Sequence, residues 1–395
     1  MKRLLTNPTS NRGDTRLEPT VGRGRICLVL TSLCAEGTPV LALDLARLWK
    51  KHGFDPYVVT LYPEPADMLR EFQEESLEVR CLNIRARSYA KFGELALRMF
   101  TACREINPDV LVSFPFGWHS YMAYGARAAG VRRIVAHAGN YPPTHSQTAC
   151  RKMAITVKLG FLAKPHIICC SDYVREGVRR HLGVPSRYLH TVYNGIQFAT
   201  FRERDPNREF RLAARSLRCG MVARLENHKD QPTLVRAARL LRDRGVPLEL
   251  YLVGEGSRRQ EYEELIAANG LTSVVHLMGM RRDLAALLAS WDLFIFSAKT
   301  DEGLGIALIE AIAARVPIIA SDVGACREVL CPPGGEPLGE LVSPESPEAI
   351  ANAVERFTDN REMWRARAVR AEESARRRFS IEAMSEGYLQ VMGLA

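Results

Sequence analysis

Two glutamates and two glycines lie close together in the stretch Ser297–Ala314 (SAKTDEGLGIALIEAIAA). The sequence predicts a strand, a loop carrying Glu302, Gly303 and Gly305, and then a helix that contains Glu310. The free N–H groups and positive dipole end of such a helix suit a diphosphate. A carboxylate accepts two hydrogen bonds at once, so either glutamate can hold adjacent hydroxyls of a sugar or ribose. Because Glu310 lies in an apolar run, where an unpaired carboxylate is costly, we favour a functional role for it over a solvated surface position.

A basic pair follows another predicted strand, in Gly220–Asp230 (GMVARLENHKD). Arg224 and Lys229 are five residues apart in a loop that leads into a predicted helix at 231–244, so both can reach one phosphate group. Cationic side chains neutralise the charge that builds up on a leaving diphosphate. Such a pair alone is usually surface charge, but together with the glutamate and glycine stretch it indicates phosphate binding.

Short apolar runs alternate with segments of helical periodicity along the whole chain, which is typical of parallel α/β sheets. The sequence predicts two such series, joined by the polar stretch Arg202–Glu209 as a linker. It therefore predicts two Rossmann-like domains facing each other across a cleft, with ligands beyond the carboxyl ends of the strands. The expected divisions are a disordered tail at 1–24, an N-terminal domain at 25–200, a C-terminal domain at 210–375 and a final helix at 376–395.

Length and composition exclude several classes of protein. The chain has 395 residues, 47% of them hydrophobic and 25% charged, which is ordinary globular usage and not that of a disordered or disulfide-stapled chain. It has no apolar run long enough to span a bilayer and no signal peptide, so we expect a cytoplasmic protein. The ten cysteines include no Cys-x-x-Cys pair and are expected to be reduced and packed in the core.

The positive charge is concentrated in the N-terminal half. Residues 1–205 hold 29 Lys and Arg against 18 Asp and Glu, a net charge of +11, whereas residues 206–395 carry −2. Such an excess can serve solubility or attract phosphates, anionic lipid headgroups or nucleic acid. Basic and aromatic residues that fit a membrane surface are Lys50, Lys51, His52, Arg85, Arg87, Tyr89, Lys91 and Phe92. A solvated loop is an equally good interpretation of them.

Both motifs resemble those of retaining glycosyltransferases of the GT-B fold, family four in the sequence classification. Their order, the turn Val253–Gly256 between them and the stretch Ser321–Ala325 after them add to the resemblance, which covers nearly all of residues 25–395. One departure concerns the loop after the first strand, where many members have two glycines and only Gly37 is present here. That departure bears on acceptor geometry.

The resemblance implies a role for each matching residue. Arg224 and Lys229 would hold the nucleotide diphosphate, Glu302 would lie at the donor sugar, and Glu310 would bind the ribose hydroxyls. His137, which ends a predicted strand, would face the transferred sugar. The donor would also contact the backbone at Gly37, Gly254, Gly303, Leu304 and Gly305.

The resemblance further implies transfer of a sugar, with retention, from a nucleotide-diphosphate donor to a hydroxyl of a glycan or lipid-linked acceptor in cell-surface polysaccharide or glycoconjugate synthesis. UDP is the default nucleotide, with GDP and ADP next. No Asp-x-Asp pair is present, so neither a metal nor another cofactor is required, and we expect no nucleic-acid partner. Two alternatives stay open, a sugar-nucleotide epimerase of the same fold and a non-catalytic sugar-nucleotide sensor. Nicotinamide binding is disfavoured because no Gly-x-Gly-x-x-Gly turn follows the first strand.

Overall fold

The protein is described here by a computed structural model, which covers residues 23–85, 90–201 and 216–395. The first sheet has seven strands, which are Arg25–Leu30 (β1), Asp55–Thr60 (β2), Val79–Cys81 (β3), Val110–Ser113 (β4), Arg133–Ala138 (β5), His166–Cys169 (β6) and Leu189–Thr191 (β7). The second has six, which are Leu217–Val222 (β8), Leu248–Val253 (β9), Val275–Gly279 (β10), Leu293–Phe296 (β11), Ile318–Ser321 (β12) and Glu340–Val342 (β13). Every pairing within the two sheets is parallel.

Fourteen α-helices connect and cover the strands in the described part of the chain. Those of the first half are Gly37–Lys51 (α1), Leu69–Glu74 (α2), Ala90–Ile106 (α3), His119–Ala128 (α4), Gln147–Gly160 (α5) and Asp172–Leu182 (α6). Those of the second half are Gln231–Asp243 (α7), Arg259–Ala268 (α8), Leu284–Ser290 (α9), Ile306–Ala313 (α10), Gly324–Leu330 (α11), Pro347–Asp359 (α12), Arg361–Phe379 (α13) and Ile381–Met392 (α14).

The strand order of each sheet reverses direction at one point. The first sheet runs β3-β2-β1-β4-β5-β6-β7 and the second runs β10-β9-β8-β11-β12-β13. In each sheet the first strand lies in the interior, and the next two strands extend the sheet on one side of it. The chain then returns and adds the remaining strands on the other side of that first strand. The predicted α/β fold of two Rossmann-like halves is confirmed. Ligands in such sheets bind where the order reverses, which in the second sheet is between β8 and β11.

The last helix, α14, returns to the first sheet and packs against α1. Its buried face presents Met384 and Tyr388 to the core of the N-terminal half. The indole Nε1 of Trp49, on α1, donates a hydrogen bond of 3.0 Å to Ser385 Oγ. The chain therefore crosses back to the N-terminal half at Ser380, the residue between α13 and α14. Helix α14 then forms part of the hydrophobic core of the N-terminal half.

Two expectations differ from the structure. The short edge strand β13 was not predicted, because its three residues follow a proline- and glycine-rich segment and carry no periodic signal. The cysteines are free thiols, but they are not all core residues: Cys81 is exposed at the end of edge strand β3. Burial raises the pKa of the thiol of Cys103 to about 12, which keeps that group inert.

Several predictions fall on parts of the chain that the structure leaves out. Nearly all of the expected tail at 1–24, the expected linker Arg202–Glu209 and two of the candidate membrane residues, Arg87 and Tyr89, lie outside the described residues. Among the helices in the described residues, none has the length and apolarity needed to cross a bilayer.

Candidate active site

A cleft with a volume of about 820 Å³ lies between the two halves and contains most of the residues that the sequence singled out. The sequence analysis gave ten residues a role in catalysis or donor binding. Nine of them line the cleft: Gly37, His137, Arg224, Lys229, Gly254, Glu302, Leu304, Gly305 and Glu310. This volume is in the range of pockets that hold small organic ligands. The tenth residue, Gly303, packs against the opposite half and does not line the cleft.

Strand order explains why the two motifs meet. The basic pair follows β8 and the glutamate and glycine stretch follows β11, and these two strands are direct neighbours although 71 residues separate Val222 from Leu293. Parallel neighbours end at the same edge of a sheet, so both loops open into the cleft at the point where the order reverses. Periodicity along the chain does not reveal this adjacency.

Lys229 and Glu302 form a buried ion pair across the two loops. Only 14% of the lysine side chain and 7% of the glutamate side chain are exposed. The ammonium also lies 5.4 Å from the ring centre of Phe296, and the second carboxylate oxygen, Oε1, accepts a hydrogen bond of 3.1 Å from the backbone N–H of Gly303. The carboxylate therefore holds the ammonium at the base of the cleft.

Arg224 lies on the same loop but is exposed. Its carbonyl oxygen accepts a hydrogen bond of 2.8 Å from the Gln231 side chain, which fixes the loop against the start of α7. The guanidinium itself makes no hydrogen bond or ion pair with a described residue. The loop is therefore rigid while its cation remains available to a ligand.

The start of α10 supplies a second source of positive polarity. Gly305 precedes the helix in a left-handed conformation, with φ at 79°, which a side chain rarely adopts. The first residues of the helix line the same cleft as Lys229, and its first N–H groups have no partner within the helix. A cation, a further exposed cation and a helix N-terminus thus converge on one region, as a diphosphate requires.

The glycine turn after β9 supports the loop that carries Arg224. Gly254 has φ at 139°, and a Cβ atom there would lie 2.1 Å from the carbonyl oxygen of Ala223. Gly256 approaches Leu225 in the same way. These two loops pack backbone against backbone, which places main-chain polar groups along the cleft wall.

Glu310 lies on the first turns of α10, partly buried in the cleft wall. No described residue forms an ion pair or hydrogen bond with its carboxylate. Burial raises its pKa to about 7, because the charged form loses solvation without gaining a partner. A buried, unpartnered carboxylate at a cleft is poised to accept hydrogen bonds from a ligand's hydroxyls.

This pKa predicts a pH dependence of donor binding. The ionised carboxylate accepts two hydrogen bonds and the protonated one does not, so the affinity for a nucleotide sugar should rise about tenfold between pH 6 and pH 8. Calorimetric titration at three pH values measures this, with a diphosphate diester whose own charge is constant over the range. Glu310→Gln should bind weakly with a flat profile, and an unchanged slope in that variant would contradict the assignment.

His137 is the last residue but one of β5 and lies on the opposite wall of the cleft. It is buried, and its Nδ1 lies 2.7 Å from the hydroxyl of Tyr388. Burial lowers the pKa of the histidine to about 4 and raises that of the tyrosine well above its usual value, so both groups are neutral near pH 7. When the phenol donates to Nδ1, the hydrogen of the imidazole is on Nε2, the nitrogen on the side of Gly139 and the cleft.

The substitution Tyr388→Phe should therefore lower the rate of sugar transfer more than it lowers the stability of the fold. The variant leaves Nδ1 without its partner and frees the imidazole to change tautomer, so we expect a roughly tenfold lower kcat with unchanged donor affinity. Loss of the hydrogen bond should cost about 1 kcal/mol of stability. Tyr251→Phe, in the second half, is the matched control for stability. Equal activity of the two variants would show that Tyr388 has only a structural role.

Gly37 begins α1 across the cleft from α10. A Cβ at this glycine would lie 3.5 Å from Cδ1 of Ile306, the first residue of α10. Two helix N-termini, one from each half, therefore approach each other at the cleft. This arrangement was not expected, since the sequence showed only that one of two usual glycines is present.

Contacts that join the two halves beside the cleft were also missed in the sequence. Ser171 Oγ donates a hydrogen bond of 2.8 Å to the carbonyl oxygen of Gly303. The Tyr173 hydroxyl donates one of 2.6 Å to the carbonyl oxygen of Thr300. The carboxylate of Glu328 accepts from the backbone N–H groups of Asp172 and Tyr173, at 2.6 and 2.8 Å. The second half thus caps a helix of the first. No local pattern marks Glu328 as a cap for a helix that begins 156 residues earlier.

Comparisons with known proteins agree with this architecture. Residues 35–199 match the family model described as Glycosyltransferase Family 4, and residues 207–378 match that of glycosyl transferases group 1. An alpha-D-kanosaminyltransferase of Streptomyces kanamyceticus is 24% identical over 66% of this chain and 70% of its own length. A GDP-mannose-dependent alpha-(1-6)-phosphatidylinositol dimannoside mannosyltransferase of Mycobacterium tuberculosis is 28% identical over 52% of each chain. HepE from Anabaena, solved with UDP and glucose, has a TM-score of 0.80 at 19% identity over 94% of this chain and 99% of its own.

Proposed function

We propose a reaction from one premise: the chain belongs to the glycosyltransferases, its first half to family 4 and its second half to group 1. The proposed reaction transfers a sugar from a nucleotide-diphosphate donor, held by the C-terminal half, to a hydroxyl of a glycan or lipid-linked acceptor, held by the N-terminal half. UDP is the proposed nucleotide. The structural relative HepE, solved with UDP and glucose, supports that choice.

One observation carries the proposal. Lys229, exposed Arg224 and the start of α10 converge in a single cleft, and partnerless Glu310 lies on the same wall. Positive polarity in the middle of the cleft suits the diphosphate, and a carboxylate beside it suits the ribose. We propose that a nucleotide diphosphate lies along these groups, with its base toward the glycine turn at Gly254.

The geometry also supports a mechanism through the leaving group. Glu302 uses one carboxylate oxygen on Lys229 and the other on the N–H of Gly303, which suits holding a sugar better than attacking it. We propose that Arg224, Lys229 and the α10 N-terminus stabilise the departing diphosphate, as fixed charges stabilise charge that develops in a transition state. The acceptor hydroxyl would attack from the same face and pass its proton to the departing phosphate oxygen, giving retention, and neutralisation by side chains leaves no step that needs a metal.

A binding and turnover experiment tests the proposal. Nucleoside diphosphates and their sugars should raise the Tm with concentration, by roughly 5 °C at about one hundredfold above Kd, because they bind only the folded chain. The nucleotide series UDP, GDP and ADP identifies the base. A binding donor should then release nucleoside diphosphate in the presence of glycan or lipid-linked acceptors, with the sugar found on the acceptor.

Three outcomes would replace the proposal. Conversion of the donor sugar without any acceptor would show an epimerase of the same fold. Donor binding without transfer to any acceptor would show a sensor. A chain that binds none of the nucleotide sugars would contradict the assignment of the cleft itself.

We propose the cytoplasmic face of a membrane as the place of the reaction, with cell-surface polysaccharide or glycoconjugate synthesis as its context. The mannosyltransferase relative named for a phosphatidylinositol mannoside supports a lipid-linked acceptor. The net charge of +11 over residues 1–205 supports an anionic surface.

A further inference from the structure

Helix α5 and the short 3-10 turn at Phe161–Ala163 present a row of exposed apolar side chains. Ile155 is 61% exposed, Leu159 53% and Leu162 83%. Because these residues recur at spacings of three and four, they lie on one face of the helix and its continuation. Isolated exposed leucines are ordinary, whereas contiguous exposed apolar side chains are a mark of interaction surfaces.

Cations flank this row, three of them on α5 and one directly after the 3-10 turn. Arg151, Lys152, Lys158 and Lys164 are all exposed, and none forms an ion pair with a residue that the structure describes. No Asp or Glu occurs from position 147 to position 164. The neighbouring helix α6 differs, since its Arg179 and Arg180 both pair with Glu176. We call the three apolar residues and the four cations the α5 face.

Helix α5 cannot rotate to bury the apolar row of the α5 face, because packing and hydrogen bonds on its opposite side hold it in place. Val157, on its opposite side, is fully buried. Gly160 packs so closely on Ser120 that a Cβ there would lie 2.4 Å from the hydroxyl oxygen. The Tyr124 hydroxyl donates a hydrogen bond to the carbonyl oxygen of Leu159. Arg127 Nε donates a hydrogen bond of 2.9 Å to the carbonyl oxygen of Ala163. The row is therefore held outward by the fold.

We propose that the α5 face docks the protein on an anionic lipid bilayer. Leucine and isoleucine side chains enter the boundary between headgroups and acyl chains, while the long lysine and arginine side chains reach back to lipid phosphates. Each cation near an anionic surface adds to the attraction, and salt weakens it. A second copy of this chain is a poorer occupant, since the same face would then bring eight unpaired cations together.

The α5 face lies beside the cleft. The loop that leads from β5 into α5 contains Gly139 and Asn140, which line the cleft, and ends at Ser146, whose hydroxyl caps the helix. In the same loop, His145 Nδ1 lies 3.7 Å from Asp301 of the opposite half. A bilayer on the α5 face would thus be next to the cleft wall that carries His137. A lipid-linked acceptor would then enter the cleft from that bilayer, and only this step rests on the proposed function.

Two of the basic residues that the sequence suggested for a membrane, Lys50 and Lys91, are used within the fold. Lys50 Nζ donates to the carbonyls of Glu75 and Ser76, at 2.7 and 3.2 Å. Lys91 lies over the rings of Phe92 and Trp118. The α5 face, which carries free cations beside an apolar row, is the better surface.

Vesicle flotation of the full chain tests the docking. The wild type should float with phosphatidylcholine vesicles that contain phosphatidylglycerol and remain below with pure phosphatidylcholine, and binding should fall between about 50 mM and about 300 mM salt. The variant Ile155→Gln with Leu159→Gln and Leu162→Gln should lose at least about tenfold in partition coefficient. Lys152→Gln with Lys158→Gln should lose a similar amount at low salt. Met363→Gln with Val369→Gln, exposed apolar positions on α13, is the matched control and should float like the wild type.

The other outcomes overturn the docking. No flotation of the wild type at low salt would do so, as would equal binding of the wild type and the triple glutamine variant. A concentration-dependent dimer that only the triple variant abolishes would make the face a self-association surface. The Tm and the nucleotide-sugar Kd, measured on every variant, show that the fold and the cleft are intact, so a failure of docking is distinguishable from a failure of the proposed reaction.

Discussion

Replacing Arg224 and Lys229 together by alanine should lower kcat by about 10⁴-fold, with a smaller effect on acceptor affinity. Removing one group that stabilises developing charge typically costs 10²–10³-fold in rate, and these two act on the same diphosphate. The loop at 223–230, which follows β8, holds no other lysine or arginine that could replace them. Product formation from a radiolabelled donor measures the loss.

The single variants separate binding of the diphosphate from stability of the fold. The exposed Arg224 guanidinium has no described partner, so Arg224→Ala should leave the Tm unchanged while it lowers the rate. Lys229→Ala removes the cation that faces the buried Glu302 carboxylate, which should cost about 3 kcal/mol of stability. Combining Lys229→Ala with Glu302→Gln should restore much of that stability and none of the activity.

Arg236→Ala provides the matched control. This arginine is exposed on α7, the helix that follows the loop, and lies outside the cleft. It should retain full activity and the same nucleotide affinity. If the double variant of Arg224 and Lys229 turned over donor at the wild-type rate, the assignment of the diphosphate site would be wrong.

The sequence was most informative where chemistry is local. A glycine loop before a helix, a glutamate in an apolar run and two cations after a strand are all visible within windows of a few residues, and the cleft contains each of them. Nucleotide-binding α/β sheets concentrate their ligands at strand ends, so the identity of the candidate residues follows once the strands are recognised.

Pairing over long distances was not visible. The ion pair between Lys229 and Glu302 depends on β8 and β11 being neighbours, and the hydrogen bond between Tyr388 and His137 depends on the last helix returning to the first sheet. Both arise from tertiary packing, which leaves no periodic mark on a single sequence. The capping of α6 by Glu328 has the same origin. The exposure of Cys81 depends on β3 lying at the sheet edge.

The contact between the halves is as important as the cleft itself, because a donor on one half must meet an acceptor on the other. Gly303 and Gly139 are in backbone contact across this junction, and the bond from Ser171 to the Gly303 carbonyl holds them together. The loop that carries Glu302 is thereby positioned by the half that carries His137. Reaction requires such alignment to within a fraction of an ångström.

Gly303→Ala should consequently lower kcat/KM by roughly 10²–10³-fold. The new Cβ would lie 2.2 Å from the carbonyl oxygen of Gly139. The nearest atoms belong to the backbone of Gly139 and Asn140, so no side-chain rotation can relieve the clash. The halves must separate or the loop must shift, either of which moves Glu302 relative to His137. Steady-state kinetics, with calorimetry for donor affinity, measures the effect, and the affinity should change less than about threefold because the diphosphate cations lie on one half.

Gly93→Ala separates this effect from the general consequence of adding a methyl group to a glycine. Gly93 is an exposed position in α3 where a Cβ would meet nothing within 4 Å, so the substitution should stabilise the helix by about 0.5–1 kcal/mol and leave the kinetics unchanged. A Gly303→Ala enzyme with normal kcat/KM would mean that the junction opens during turnover and that its closed form is not the reactive one. A loss confined to donor affinity would instead place Gly303 in the donor site, with its backbone N–H bound to the donor.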